Sequence, residues 1–547
     1  MANLVGRDSI LFASLTVTKH ESVILNAVKD LALTGKLHID LCRSSLYRLI
    51  SDAIDWRIMS KEVRFIDTTV RDGNQSLWAL NMKIGAMLPA LPHMDEAGFE
   101  SMEFFLSVIF KKYVREHKEN PWYWLKEGTK RIKKTRLRYH GGMHSAFEKT
   151  PHCILKLLVE RLVSYGLTLT RTSNCWNDYT AFKEEIDDLK KNGMDTVANL
   201  IYSVSPRHTD EYYARKAAEA AAAKPWRICF KDVGGLLTPE RARTLIPVVL
   251  KAAGDIPVEF HAHCNSGQAP LNYLEGVKLG MRILHTAIPP LANGSSQPSV
   301  FNIANNLIAL GYAPQVDLKP LEPVVRHFNA VAKKDGLPIG RPMEFDQSLY
   351  GHQVPGGMIS NMRHQLKIVG MEQKMEAALE EAARVRADFG YPIMVTPLSQ
   401  FVGTQAAINV IVGERYKEVP DQNIQYALGI WGKEAVEVMD RNVRDKILSR
   451  PRAKEWTHWE QPEPTLHEMR QKYGVNLSDE DLILYYFAGA DYVKALPDHG
   501  KPREYLDATQ PLVKIIEQLS HRKESNRVFI KRPGFSVRLE KRSSASV

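Results

Sequence analysis

Three short stretches hold residue types that could do chemistry together. Asp72 ends the run IDTTVRD, Lys231 sits in FKDVGG, and His261 and His263 lie in VEFHAHCNSG. The two histidines are two positions apart, so on a β-strand both imidazoles leave the same face. Paired imidazoles where a strand meets a Gly-containing loop form half of a divalent-metal site. That spacing alone also fits two histidines lining a barrel interior. An acidic residue and a lysine at two other strand ends favour the metal.

To converge, these residues must leave one sheet at the same end. Residues 63–69, 99–105, 136–142, 167–173, 196–204, 226–232, 258–263 and 281–288 are short apolar or β-branched runs. Helix-like stretches separate them, several opening on Thr or Pro and closing at Gly. Eight such repeats predict an α/β fold, a (β/α)8 TIM barrel spanning residues 59–345. Asp72 then follows strand one, Lys231 ends strand six, and His261 and His263 end strand seven. All four meet at the C-terminal mouth, where barrels of this kind keep their chemistry. Residues 346–498 read as a mainly helical C-terminal domain, with SDED at 478–481 as a helix start. The basic tail, 499–547, holds two alternating runs about a Pro-Gly pair, which predicts a hairpin. Residues 1–58 lack the pattern of a secretory or transit peptide, and Met59 opens MSKEVRFIDTTVRDG directly before the first strand. Met59 is therefore the expected initiator, or residues 1–58 are an added leader.

At 547 residues the chain exceeds one ordinary core, so more than one domain is expected. No apolar run approaches the roughly 20 residues of a membrane helix. Cys42, Cys153, Cys175, Cys229 and Cys264 are scattered without a CxxC pair, which argues against a disulfide framework or a cysteine zinc site. A reducing cytoplasm is the expected location. The net charge of +10 is concentrated in clusters such as 126–138 and 521–542, read as solvated faces. No nucleic-acid-binding module accompanies them, so nucleic acid is not an expected partner.

The motifs resemble those of one family: the carboxyltransferase region of pyruvate carboxylase, the oxaloacetate decarboxylase alpha subunit and the transcarboxylase keto-acid subunit. Where that family carries RDAHQS this chain has RDGNQS, IKDMAGLL becomes FKDVGGLL, and HTHDTSG becomes HAHCNSG. SSQPS, HQVPGGMISN and VTPLSQFVG follow in the family's order. The resemblance implies that Asp72, His261 and His263 hold a divalent ion such as Zn, Mn or Co, with Lys231 carbamylated as a fourth ligand. It further implies that Gln75 contacts keto acid and biotin, that Thr396 shuttles a proton between enol-pyruvate and biotin nitrogen, and that Arg71 orders the mouth. The implied reaction moves CO2 between carboxybiotin and a 2-keto acid, oxaloacetate or pyruvate, through a metal-stabilised enolate.

The resemblance breaks at the acid-binding side. EFFLSVIFK places Lys111 where the family has a site aspartate, and Leu106 and Ser107 replace two glycines. After strand three, the family's substrate-gripping arginine falls on His140 and its tyrosine on Phe147, or on Arg138 with a two-residue shift. Lys111, Arg138 and His140 are thus the expected carboxylate binders, beside Gln75. Asn74 replaces a family histidine, a minor change. No Ala-Met-Lys-Met sequence occurs, so the resemblance implies biotin on a separate carrier protein, a separate biotin carboxylase for carboxylation, and a homodimer. Three alternatives stay open: another acyl substrate, a Claisen-type lyase or synthase of the same barrel superfamily, and a non-catalytic assembly role. Lys231, the Pro-Gly-Gly motif and Thr396 discriminate against the Claisen enzymes.

Overall fold

A computed structural model of the chain describes residues 61–142, 149–354, 356–504, 515, 527–532 and 535–540. All eight expected runs carry a strand: β1 (Glu62–Asp67), β2 (Ser101–Leu106), β3 (Arg136–His140), β4 (Leu167–Thr172), β5 (Asp195–Ile201), β6 (Arg227–Asp232), β7 (Val258–Ala262) and β8 (Ile283–Thr286). Neighbours in sequence pair in parallel, and β1 bonds to both β8 and β2, which closes the barrel.

The strands alternate as a barrel wall requires. On β7, Val258, Phe260 and Ala262 face the surrounding helices, with the Phe260 ring 4.9 Å from Tyr273 of the helix Ala269–Lys278. Glu259 and His261 face inward. The apolar part of the interior is small, a cluster of Leu169, Val197 and Cys229. Above it the interior is ionic, where most such barrels stack branched apolar side chains. Thr209 and Thr238 accept hydrogen bonds from the backbone N–H groups of Tyr212 and Arg241, capping two outer helices as their sequence signals predict.

Helices Gly356–Ile368, Met375–Asp388 and Leu398–Val412 share a second core containing Met362, Leu366, Val385, Phe389 and Val402. Trp176, in the loop after β4, belongs to the same cluster. Two polar side chains tie this layer to the loop after β5. Gln353 Nε2 donates to the Val204 carbonyl at 2.6 Å, and Arg386 Nη2 donates to Ser203 Oγ at 2.9 Å. The helix expected at SDED is Asp479–Ala488, capped by Ser478. The tail hairpin pairs Arg527–Arg532 with Phe535–Glu540 in antiparallel register, its Pro-Gly pair lying outside the described residues. Residues 1–60, including Met59, and Phe147 also lie outside them. Among the described residues no helix is long and apolar enough to cross a membrane.

Candidate metal and catalytic site

Directly after β1, residues Thr69–Gly73 form one wide, fully buried helical turn that carries Asp72 over the barrel mouth. Its Oδ2 lies 3.4 Å from His261 Nε2 and 3.8 Å from His263 Nε2. Ligand bonds of about 2.1 Å at tetrahedral angles would separate ligand atoms by roughly 3.4 Å. With all three ligand atoms within 4.8 Å of one another, these side chains fit a divalent ion. His263 Nδ1 is 2.6 Å from the Ser295 carbonyl, which can only accept. Nδ1 thus carries the proton, and the Nε2 lone pair faces Asp72. Gln297 Nε2 sits 3.4 and 3.1 Å from Nε2 of His261 and His263, consistent with both nitrogens being acceptors.

Lys231 lies opposite His261 in the β6–β7 register and lines the same cavity as Asp72 and His263. Burial, then the nearby Arg171, bring its pKa down to about 8. Part of the population is then an uncharged amine near neutral pH, the form able to take up CO2 as a carbamate. Burial would raise the Asp72 pKa, but Arg71, His263, Lys231 and Arg171 outweigh it and hold this carboxyl well below the usual range. Burial also lowers the pKa of His261, and of His285 beneath it to about 4, so both imidazoles are neutral.

The cavity at this mouth has a volume of about 160 Å³. Arg71, Gln75, His140 and Thr396 line it together with the metal-facing residues, so barrel and helical layer share the site. Arg71 is fully engaged: Nε reaches Glu103 at 2.8 Å, Nη1 reaches Gln75 Oε1 at 3.1 Å and Nη2 reaches Asp72 at 2.9 Å. It can orient neighbours but has little left for a substrate. His140 lines the cavity, and its Nδ1 is buried without a hydrogen-bond partner in the protein. Burial, then Arg71 and Arg171, lower the pKa of His140 and keep it neutral.

Two expected acid binders are elsewhere. Arg138 is wholly buried inside the barrel, both Nη atoms 2.7 Å from the carboxylate of Glu259 and Nε 2.6 Å from Ser101 Oγ. Its donors are consumed by partners within the wall, so it does not reach the cavity. Lys111 is exposed, because β2 ends at Leu106 and the helix Val108–Lys112 turns away at once. The sequence reading missed Arg171 and Glu103, both buried within this network. Arg171 pairs with Glu103 and approaches Asp72 at 3.8 Å. A signal existed: Leu169 and Arg171 alternate on the inner face of β4. Ser173 and Cys175 after β4 and Met394 beside Thr396 also line the cavity and carried no motif. Two further groups, Glu103–His261–His285 and Cys229–Glu259–His285, have metal-ligand proximity, but their carboxylates are engaged by arginines and only the Asp72 group opens onto the cavity.

A closed parallel barrel with two imidazoles, a carboxylate and a low-pKa lysine at its mouth, roofed by helices, describes a class of metal-assisted lyases and transferases. Comparison with known proteins narrows that class. Residues 349–525 match a family model described as a conserved carboxylase domain. A pyruvate carboxylase subunit of Methanocaldococcus jannaschii is 35% identical over 467 residues, which cover 83% of this chain and 81% of that protein. The 2-oxoglutarate carboxylase large subunit of Hydrogenobacter thermophilus is 29% identical over 442 residues, covering 78% and 67%. The carboxyl transferase domain of Rhizobium etli pyruvate carboxylase, solved with 3-bromopyruvate, superposes with a TM-score of 0.72 at 23% identity, covering 82% of this chain and 79% of that domain. The chain belongs to the biotin-dependent carboxyltransferase family that includes the Methanocaldococcus pyruvate carboxylase subunit.

Proposed function

We propose that this protein moves CO2 between carboxybiotin and a small 2-keto acid, with pyruvate and oxaloacetate as the pair. The observation that carries this reading is the shared cavity, in which Asp72, Lys231 and His263 from the barrel face Thr396 from the helical layer. Asp72, His261, His263 and carbamylated Lys231 would hold a divalent ion such as Zn, Mn or Co. Such an ion supplies Lewis-acid polarisation of the keto oxygen.

The remaining work falls to the chain's own residues. Gln75, fixed by Arg71, offers its amide to the keto acid. His140 offers a ring nitrogen to the acid's carboxylate, the role expected from sequence for His140 together with Arg138 and Lys111. Thr396 holds and passes a proton at its hydroxyl, between the methyl carbon and the ureido nitrogen. At roughly 30 Å³ per water, the cavity holds about five waters. That suits the head of a keto acid.

Biotin would arrive on a separate carrier protein, with a separate biotin carboxylase for the forward reaction. Relatives named as individual subunits of pyruvate carboxylase support this multi-chain assembly. A homodimer in the cytoplasm completes the proposal.

The deciding experiment is metal-replete oxaloacetate decarboxylation with and without free biotin, corrected for the metal-only background. Biotin-stimulated turnover supports the reading. Metal binding with no turnover of oxaloacetate, 2-oxoglutarate or acyl thioesters would defeat it in favour of an assembly role. Thr396→Ala should lower kcat by roughly 10²-fold or more with little change in KM for the keto acid, as loss of a positioned proton carrier does.

A further inference from the structure

Beneath His261 lies a column of buried polar groups that the proposed reaction does not use. His261 Nδ1 is 3.1 Å from His285 Nδ1, and His285 Nε2 is 3.0 Å from Glu259 Oε2. Glu259 in turn receives both Nη atoms of Arg138 at 2.7 Å and Arg227 Nη1 at 3.2 Å. His261, His285, Glu259 and Arg138 have no measurable exposure. Water therefore cannot stand in for any of these partners.

Hydrogen-bond accounting along the column has one solution. Glu259, ringed by guanidinium groups, is an ionised carboxylate and can only accept. His285 must then donate through Nε2, which leaves Nδ1 of the neutral ring as a lone pair. That lone pair accepts from His261 Nδ1–H, and His261 is left with its lone pair on Nε2, facing Asp72 and His263. The opposite tautomer would set two lone pairs against each other at 3.1 Å and aim an N–H at the ion. His263 reaches the same state by a different route, through the Ser295 carbonyl.

We propose that Arg138, Glu259 and His285 form a buried positioning relay that locks His261 in the Nε2-acceptor tautomer and so pre-forms the metal site. The proposal deepens the carboxyltransferase reading and rests on its metal. His285, Glu259 and Arg138 are positioning residues, since none of them touches the cavity. The relay gives Arg138 a task in place of substrate binding, and it accounts for three ionisable side chains held without solvent in the barrel's centre.

The test uses the full-length protein, Zn²⁺ alone as the probe, and competition with a chromophoric chelator. His285→Leu removes the acceptor and should weaken Zn²⁺ binding by about 10- to 100-fold, the usual effect of losing a ligand's outer hydrogen-bond partner. His285→Gln can donate to Glu259 through its amide nitrogen and accept from His261 through its oxygen. It should hold affinity within about threefold of wild type, an outcome that a purely space-filling role does not predict. Wild-type affinity in His285→Leu, or equal weakening in both variants, overturns the relay. Because the leucine variant can fail to fold, ¹⁵N spectra of histidine-labelled, metal-free wild-type protein give a second readout. They should show His261 protonated at Nδ1, and protonation at Nε2 overturns the proposal. Failure of wild-type protein to bind Zn²⁺, Mn²⁺ and Co²⁺ alike would sink the carboxyltransferase reading, while the tautomer spectrum still decides the relay.

Discussion

The two sides of the barrel mouth are built from similar residue types and behave differently. On the side of β1, β6 and β7, Asp72, His261 and His263 present acceptor atoms within 4.8 Å of one another, and Asp72 and His263 line the cavity. On the side of β2, β3 and β4, the charges are compensated inside the wall: Glu103 by Arg71 and Arg171, and Arg138 by Glu259. A ligand side chain is useful when its lone pair is aimed by one partner and left free on the other side. A charged side chain whose partners are all internal stabilises the wall and is unavailable to substrate. Charge type does not separate the two cases; the direction of the partners does.

The comparison can be broken most sharply on the open side. Asp72→Ala removes a ligand and leaves Glu103 as the one carboxylate paired with both Arg71 and Arg171. Activity should fall roughly 10³-fold or more, because loss of about 4 kcal/mol of Lewis-acid stabilisation has that effect. Metal content measured on the same sample should fall with it. Retained metal at full stoichiometry would show that the carboxylate is not a ligand. On the closed side, Arg138→Met should cost about 3 kcal/mol of stability, since it takes the bidentate guanidinium from the buried Glu259 carboxylate and leaves it only Arg227 and His285. Denaturant unfolding would show that loss, with weaker metal binding and an unchanged KM for the keto acid. Adding Glu259→Gln should recover part of it. A tenfold rise in KM without loss of stability would instead return Arg138 to substrate binding.

His140 stands between the two sides, lining the cavity, with its Nδ1 buried and unpaired in the protein. If it meets the substrate carboxylate, His140→Ala should raise KM for the keto acid about tenfold, the effect of one hydrogen bond to a charged group. Steady-state kinetics on the metal-loaded protein would measure it. An unchanged KM would leave acid binding to Gln75 and the backbone.

How much of this was legible follows the same division. The eight strands were readable because each is a short apolar run between capped helices, and both features are local. Asp72, Lys231, His261 and His263 were readable because each sits at a strand end in a recognisable motif, and barrel geometry does the rest. Arg171 was readable in part, from its place two residues beyond Leu169 on one strand face. The pairing of Arg138 with Glu259 was not, because the partners are 121 residues apart and meet only when β3 and β7 face each other across the closed barrel. No local pattern distinguishes an arginine that looks up into a cavity from one that looks across to a carboxylate.

Lys111 gives the smallest predicted effect and isolates the error in its simplest form. Matching residue by residue after β2 assumes that the strand continues far enough to bring position 111 to the mouth. The strand instead stops at Leu106, and Ser107 starts a helix whose first turn buries Ile109 and Phe110 and leaves Lys111 on the outside. The pattern VIFKK carries this division, because Ile109 and Phe110 go in before Lys111 goes out. The helix side chains were therefore chosen by burial, and the lysine's charge lies near solvent, where a single ion interaction is worth about 0–1 kcal/mol. Lys111→Gln should leave kcat and KM within about twofold of wild type and change stability by less than about 0.5 kcal/mol. A larger rise in KM for the keto acid would mean that this helix unwinds on binding and carries Lys111 inward, and the two sides of the mouth would then differ in mobility as well as in charge compensation.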